Sequence, residues 1–310
     1  MRGMVAYIIR RLLLMIPLLL GVTLIVFFSI HLIPGDPVMY MLRGRMPSRE
    51  VIERMRAELG LNLPLHEQYF RYLSGLLRGD WGTSLRTRAP VLQEILSRYP
   101  NTIVLAVAAM FISVVVGVIA GIISAVKRYS LFDYLSMAGA LFGVSMPSFW
   151  LGLMLILIFA VQLRLLPVSG YKSPEAIILP AITLGTGGAG VLARLTRSSM
   201  LEVLGQDYVR TARAKGLAER IVIYRHALKN ALIPVLTMAG MQFGFLLGGA
   251  VIVEMIFAWP GIGRLAVMSI YAHDIPVVQG CTLFFTAIFI LTNLAVDILY
   301  AYIDPRIRYR

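Results

Sequence analysis

Six long stretches without a charged side chain constrain this chain more than any other feature of its sequence. They cover residues 12–34, 101–126, 134–163, 176–193, 230–253 and 275–296. A helix needs roughly 20 apolar residues to cross the hydrocarbon core of a bilayer, where only helices and closed barrels satisfy every backbone polar group. The sequence therefore predicts an all-α integral membrane protein with about six transmembrane helices.

The third and fourth stretches each depart from a simple span. The third would form about 45 Å of helix at 1.5 Å per residue, and it contains Met146-Pro147-Ser148. Proline removes a helix hydrogen bond and clashes with the preceding turn, so we predict a kink or break there. The fourth has only 18 residues, so its helix is predicted to continue beyond Arg194.

The net charge of +13 is distributed in a way that indicates membrane topology rather than nucleic-acid binding. Basic residues precede the first stretch, occupy the link after the second, crowd the link between the fourth and fifth, and end the chain. The positive-inside rule then predicts that both termini are cytoplasmic. Residues 35–100 also carry ten basic residues, but long loops translocate regardless of charge, so we place them outside.

The predicted organisation has three parts: residues 1–34 with the first span, an extracytoplasmic insertion at 35–100, and a five-helix core at 101–310. The first span is long and lacks a small-residue cleavage site, which favours a retained anchor over a signal peptide. The insertion should turn sharply at residues 34–37, form short helices at 48–59 and 65–77, and contain a loop at 79–84. A lone cysteine, Cys281, excludes an internal disulfide.

The link between the fourth and fifth stretches reads as a helix, a glycine break at Gly216 and a second helix. After the break, Ile221, Tyr224, Leu228 and Leu232 recur at helical spacing and predict one apolar stripe. The surrounding basic residues allow two interpretations. They either set topology and touch anionic head groups, or they belong to a rigid docking element that a moving partner pushes.

This segment resembles the cytoplasmic coupling loop, or EAA loop, of ABC importer permeases. Arg210-Thr211-Ala212 occupies the Glu-Ala-Ala triplet and Gly216 the glycine, while His226 and Lys229 replace the usual Ile and Pro. These departures resemble the dipeptide, oligopeptide and nickel permease branch, and the long insertion resembles its B-type subunit. Other segments typical of that branch lie at residues 34–37, 79–84, 147–150, 194–200, 254–263 and 304–306.

The resemblance implies a type I ABC importer permease fold in the cytoplasmic (inner) membrane of a prokaryote. It implies a heterodimeric pore with a second permease subunit, two ABC ATPase subunits beneath it, and an extracytoplasmic peptide-binding protein. The residues that it assigns to ATPase coupling are Arg210, Ala212, Gly216, Leu217, Ala218, Glu219, Arg220, Ile221, Arg225 and His226. The sequence has no G-x-x-x-x-G-K-[ST] motif, so ATP and Mg should bind the partner ATPases, and we expect neither a cofactor nor a metal on this chain.

Four polar side chains near the spans are candidates for the pore or for contact with a binding protein. Arg194 and Arg197 share a helix face and would either snorkel to head groups or line the pore mouth. Glu254 and Asp274 would either anchor an outer loop or contact the binding protein. Asp297 is expected to form a structural pair with a basic residue.

Three rival functions stay open at this point. A nickel or nickel-chelate permease would share the family motifs. An ion-coupled secondary transporter would need internal carboxylates and repeated halves, and neither is evident. A membrane scaffold without transport is disfavoured by the specific loops. Gly185, Gly187 and Gly190 spell a dinucleotide-binding pattern, but they lie inside an apolar stretch, where close helix packing explains them better.

Overall fold

The computed structural model describes residues 2–31, 48–58 and 60–303. These residues form helices and connecting turns, with one isolated antiparallel bridge between Thr83 and Pro90. The predicted turn at 34–37 and the motif at 304–306 lie outside the described residues. The helices are α1 (Arg2–His31), α2 (Arg49–Glu58), α3 (Leu65–Leu77), α4 (Val91–Val126), α5 (Leu131–Ser145), α6 (Ser148–Leu155), α7 (Ile178–Leu204), α8 (Asp207–Ala214), α9 (Glu219–Ile221), α10 (Leu228–Leu247), α11 (Val251–Ile256), α12 (Ile262–Tyr271) and α13 (Ile275–Ile303).

Among the described residues, five helical segments are long and apolar enough to cross a membrane, and one bent pair makes a sixth when its two halves are counted as one span. The bent pair is α5 with Ser148–Gln162, in which α6 continues into a π-helical turn. The two halves meet at 105°, where Met146 and Pro147 are both extended. The predicted break in the third stretch is therefore confirmed, and so is the all-helical membrane architecture.

The helix α4 begins at Val91, ahead of the uncharged stretch that starts at residue 101. Its first turns are anchored by Val91 and Ile95, which are fully buried against Ile262, Leu265 and Cys281. Burial stabilises the first turns of α4 by roughly 1.5–3 kcal/mol for each of these apolar side chains. This stabilisation is enough to extend the helix through Pro100. The proposed division of the chain at residue 100 stays a prediction.

The helix α7 packs closely against α4 and α5 through small residues. A Cβ at Gly121 would lie 2.5 Å from Cβ of Thr196, and a Cβ at Gly185 would lie 2.9 Å from the carbonyl oxygen of Ala109. A Cβ at Gly190 would lie 2.4 Å from the carbonyl oxygen of Ala140. The glycine pattern in α7 thus serves backbone approach, as lipid-embedded helices require.

The helix α1 packs against α13 and the insertion. Arg11 pairs with Asp297 at 2.9 Å, which confirms the structural pair predicted for Asp297. Further along α1, the hydroxyl groups of Thr23 and Tyr69 are 2.9 Å apart, which joins α1 to α3. Hereafter the loop end is the end of the bundle that carries residues 205–218, and the insertion end is the opposite one, which carries residues 48–90.

The insertion forms the two helices predicted for it. The amide of Val51 donates to Oγ of Ser48 at 3.4 Å, a weak version of the predicted cap on α2. Gly60 follows α2 with a φ of 67°, a left-handed conformation that glycine adopts at no steric cost. The helix α3 has the predicted bounds, Leu65–Leu77.

We predict that Gly190→Ala lowers the free energy of unfolding by about 1–3 kcal/mol, because the added methyl group overpacks the α5–α7 contact. Gly139→Ala is the matched control, since a Cβ there meets nothing within 4 Å and alanine favours a helix. Thermal unfolding of both variants in the same detergent measures the difference. Equal melting temperatures for the two variants would contradict the close approach of these helices.

Candidate coupling site

The link between α7 and α10 turns sharply at Gly216. Its φ of 77° is left-handed, and its amide donates to the carbonyl of Arg213 at 2.9 Å. The next amide, of Leu217, reaches back to the carbonyl of Ala212 at 3.4 Å. These bonds end α8 in the way that glycine commonly ends helices, so the predicted glycine break is confirmed.

One side of this link is anchored by apolar packing. Val209, Ala212 and Val222 are buried together against Val203 and Leu204, which end α7. The contact joins α8 and the start of the next helix to the last turn of a membrane span. A force on α8 is therefore passed to α7 by packed side chains as well as by the backbone.

Two polar contacts brace the link across its glycine. Nε and Nη2 of Arg213 donate to the two carboxylate oxygens of Glu219, at 3.1 and 2.7 Å. This hydrogen-bonded carboxylate raises the pKa of Arg213 above its usual value. Nδ2 of Asn230 also donates to the hydroxyl of Tyr208 at 2.8 Å, which joins α8 to α10. The two helices and their glycine turn therefore form one braced unit.

The predicted apolar stripe after Gly216 is wrong. Residues Val222–Ala227 form a π-helical turn, and an extra residue in a turn shifts the following register. The buried side chains are accordingly Val222, Ile223, Ala227 and Ala231. Ile221 and Tyr224, the first two residues of the predicted stripe, lie off this buried face and are 43% and 57% exposed.

This shift leaves an apolar surface with a basic border. We define the exposed patch as Leu217, Ile221 and Tyr224 with the flanking Arg220 and Arg225. Leu217 is 37% exposed, and the other four residues line a shallow depression of about 360 Å³. Exposed apolar side chains rimmed by polar ones are typical of a contact surface.

The structure brings together most residues that the resemblance assigned to ATPase coupling. Ala212 is buried, so it packs the link internally, and His226 is partly buried. The remaining members are exposed on the link: Arg210, Gly216, Leu217, Ala218, Glu219, Arg220, Ile221 and Arg225. Their contact with an ATPase stays a prediction.

Arg194 and Arg197 have different surroundings although they share a helix face. Arg194 is exposed, whereas Arg197 donates to both carboxylate oxygens of Asp133 at 2.7 and 2.8 Å. The guanidinium of Arg197 is therefore paired with a carboxylate between α5 and α7. Sequence reasoning missed Asp133, although Ser130-x-x-Asp133 is a capping signal before α5 and the amide of Asp133 does donate to Oγ of Ser130.

Glu254 is fully buried near the insertion end and anchors α12. Its carboxylate accepts from Oγ1 of Thr102 at 2.8 Å and from the amide of Arg264 at 2.9 Å, and the amide of Gly263 also donates to it. A carboxylate at a helix start is favoured by the free amides there. Burial nevertheless raises the pKa of Glu254. A Cβ at Gly261 would overlap the carboxyl group of Glu254, which explains the glycine.

Asp274 holds the insertion loop against the start of α13. It is 2% exposed and accepts from the hydroxyl of Ser84 at 2.5 Å and from the amides of Leu85 and Arg86 at 3.0 and 3.3 Å. Both acidic residues therefore shape loops at the insertion end through hydrogen bonds within this chain. Contact with a binding protein, also predicted for them, stays a prediction.

Two family models together match most of this chain. Residues 117–309 match the model of the family "Binding-protein-dependent transport system inner membrane component", and residues 4–106 match the N-terminal model of such membrane components. The chain belongs to this family. It is therefore a membrane permease component of an ABC importer, a class of subunit that lacks ATPase activity of its own.

Two relatives cover almost the whole permease. The dipeptide transport system permease protein of Alkalihalophilus pseudofirmus is 49% identical over 334 aligned residues, covering 99% of this chain and 100% of the relative. The glutathione transport system permease protein of Escherichia coli K12 is 48% identical over 307 residues, with the same coverage. These matches confirm the predicted dipeptide, oligopeptide and nickel branch.

Solved structures show the same fold at lower identity. A chain of the inward-facing MetNI methionine ABC transporter superposes with a TM-score of 0.59 at 18% identity, covering 69% of this permease and 97% of that chain. An amino acid ABC transporter solved with histidines gives 0.52 at 17% identity. The predicted ABC importer permease fold is confirmed.

We predict that Glu254→Gln lowers the free energy of unfolding by about 1–3 kcal/mol, because its amide group would face backbone amides that need an acceptor. Glu175→Gln is the matched control, since Glu175 is exposed in a short 3₁₀ helix just before α7. Thermal unfolding in detergent compares them. A loss of stability no larger than that of the control would show that this carboxylate does not anchor α12.

Proposed function

We propose that this permease forms a translocation pore with a second permease subunit and imports short peptides. The relatives named for dipeptide and glutathione transport support this substrate class, since glutathione is itself a short peptide. The bound substrate would arrive from an extracytoplasmic binding protein, and the chain itself performs no covalent chemistry.

The observation that carries the coupling proposal is the exposed patch on the braced link. ABC ATPases close on ATP, and a permease needs a rigid element that follows this movement. The link is rigid because Arg213 binds Glu219 across Gly216, and it is joined to α7 by buried apolar contacts. Leu217, Ile221 and Tyr224 would insert into a groove on an ATPase, with Arg220 and Arg225 at its rim. ATP-driven closure then biases a bundle that has two packing states.

The proposal fixes the orientation of the bundle. The loop end is cytoplasmic, so both termini are cytoplasmic, and the insertion end faces the binding protein. Glu254 and Asp274 would contribute by holding the shape of that outer surface. The bacterial relatives support a location in the cytoplasmic membrane of a prokaryote.

The energy source lies on the partner subunits. The sequence has no phosphate-binding G-x-x-x-x-G-K-[ST] loop, so ATP and Mg²⁺ would bind the two ATPases, and the permease would need no cofactor of its own. Its contribution is mechanical, because it converts closure of the ATPases into opening of the pore toward the binding protein.

We predict that Leu217→Asp and Tyr224→Asp each reduce ATPase binding and peptide uptake by about tenfold, roughly 1.4 kcal/mol of lost contact energy. A carboxylate in an apolar groove is costly to desolvate. Leu77→Asp is the matched control for co-purification, because Leu77 is 83% exposed on the insertion, at the opposite end of the bundle from the link. Co-purification with the ATPases and uptake into proteoliposomes measure both effects.

Gly216→Pro tests the shape of the link rather than its surface. Proline cannot adopt the φ of 77° that Gly216 needs, so we expect peptide-stimulated ATP hydrolysis and uptake to fall together. If Gly216→Pro and both Asp variants behaved like the control, the link would have no part in coupling.

A further inference from the structure

An ion pair with a buried carboxylate joins two spans near the loop end. Arg197 of α7 donates from Nε and Nη2 to the two carboxylate oxygens of Asp133, at 2.7 and 2.8 Å. The hydroxyl of Ser124 and the amide of Tyr129 also donate to this carboxylate. The Asp133 side chain is 3% exposed and that of Arg197 is 25% exposed. We call this pair, with Ser124, the clamp.

The clamp lies directly on the path from the coupling link into the membrane. The helix α7 runs unbroken from Arg197 to Leu204, about 10 Å at 1.5 Å per residue. Leu204 then packs against the buried side of the link. Any displacement of the link therefore reaches Arg197 through one short, continuous helix.

From the clamp toward the bend at Pro147, the contact between α5 and α7 is made by small residues. A Cβ at Gly190 would meet the backbone of Ala140, and a Cβ at Gly143 would lie 3.1 Å from Cγ2 of Thr186. Small residues let helices approach closely, but they offer no large side chain that would resist sliding along the axis. The bidentate clamp has a fixed geometry, so it sets the register between these two helices.

The other end of α5 is the sharp bend. The helix ends at Ser145, Pro147 opens the next one, and the two axes meet at 105°. Phe142, Phe149 and Trp150 are exposed around this bend, and they line a depression of about 340 Å³. Backbone that leaves a helix within a bilayer is tolerated where it meets protein or water. The bend is thus the place where a shift of α5 would change the shape of the bundle.

We propose that Asp133 and Arg197 are a positioning pair that makes α5 move with α7, and so transmits movement of the coupling link to the bend at Pro147. This inference rests on the proposed function, because it needs an ATPase to move the link. It places Arg197 between the two helices that move, α5 and α7, where it does not contact the peptide. The pair acts through α5 and touches neither peptide nor nucleotide.

A pair with only a structural role would behave differently. Removing one partner of a buried ion pair leaves an uncompensated charge and destabilises a protein, whereas replacing both partners is often tolerated. The double variant Asp133→Asn/Arg197→Gln keeps similar shapes and can still hydrogen-bond, but it loses the charged bidentate contact. It separates loss of transmission from loss of folding.

The first experiment compares this double variant with the wild type in proteoliposomes that contain both permeases, the ATPases and the binding protein. We expect normal assembly and substantial ATP hydrolysis, with peptide transported per ATP reduced by at least about fivefold. Arg11→Gln/Asp297→Asn is the matched control, because it removes an ion pair between α1 and α13 that lies off this path. The control should keep the wild-type ratio.

The second experiment needs no change to the clamp. Spin labels replace exposed residues in a Cys281→Ala background, as one pair at Leu135 and Glu202 across the clamp and another at Leu135 and Val161 across the bend. Between the nucleotide-free and ATP-bound transporter, we expect the first distance to stay constant and the second to change. This result does not depend on how well the double variant folds.

The outcomes separate this inference from the proposed function. A wild-type complex without ATP-dependent uptake would refute the proposed function. If the wild type is coupled, an unchanged transport ratio in the double variant would overturn the inference. A nucleotide-dependent distance between Leu135 and Glu202, or a constant distance between Leu135 and Val161, would overturn it as well.

Discussion

The bilayer sets one demand on which the rest of this structure depends: every backbone polar group at membrane depth must have a partner within the protein. The backbone meets it by forming helices along the uncharged stretches. Charged side chains near the ends of these helices are paired as well. Arg197 binds Asp133, Arg11 binds Asp297, and Glu254 accepts bonds at the start of α12. The same bonds that satisfy polar groups also fix how helices are joined.

A mechanical path follows from these junctions. The exposed patch would receive a push from an ATPase, and the braced turn at Gly216 would keep its shape. Buried contacts with Leu204 would pass the displacement to α7, and the clamp at Arg197 would pass it to α5. The bend before Pro147 is where two helical halves can change their angle. Glycines along α7 permit close packing, whereas the clamp limits sliding.

Periodicity and charge predicted much of this. The spans, the break at Pro147 and the glycine turn at Gly216 each depend on local chemistry, and all three are present in the structure. The π-helical turn at Val222–Ala227 could not be read from an α-helical period, so the apolar stripe was wrong. Partners distant in sequence, such as Arg197 and Asp133, are set by tertiary packing. Only the capping signal at Ser130 pointed toward Asp133.

In the proposed mechanism, the link between α7 and α10 is a rigid lever that an ATPase moves on the cytoplasmic side. The most direct test places a photo-activatable cross-linker at Leu217 in the assembled transporter within native membranes. We expect a cross-link to an ATPase subunit, with a yield that depends on nucleotide. Cross-links to the extracytoplasmic binding protein, or none to an ATPase in any nucleotide state, would contradict it.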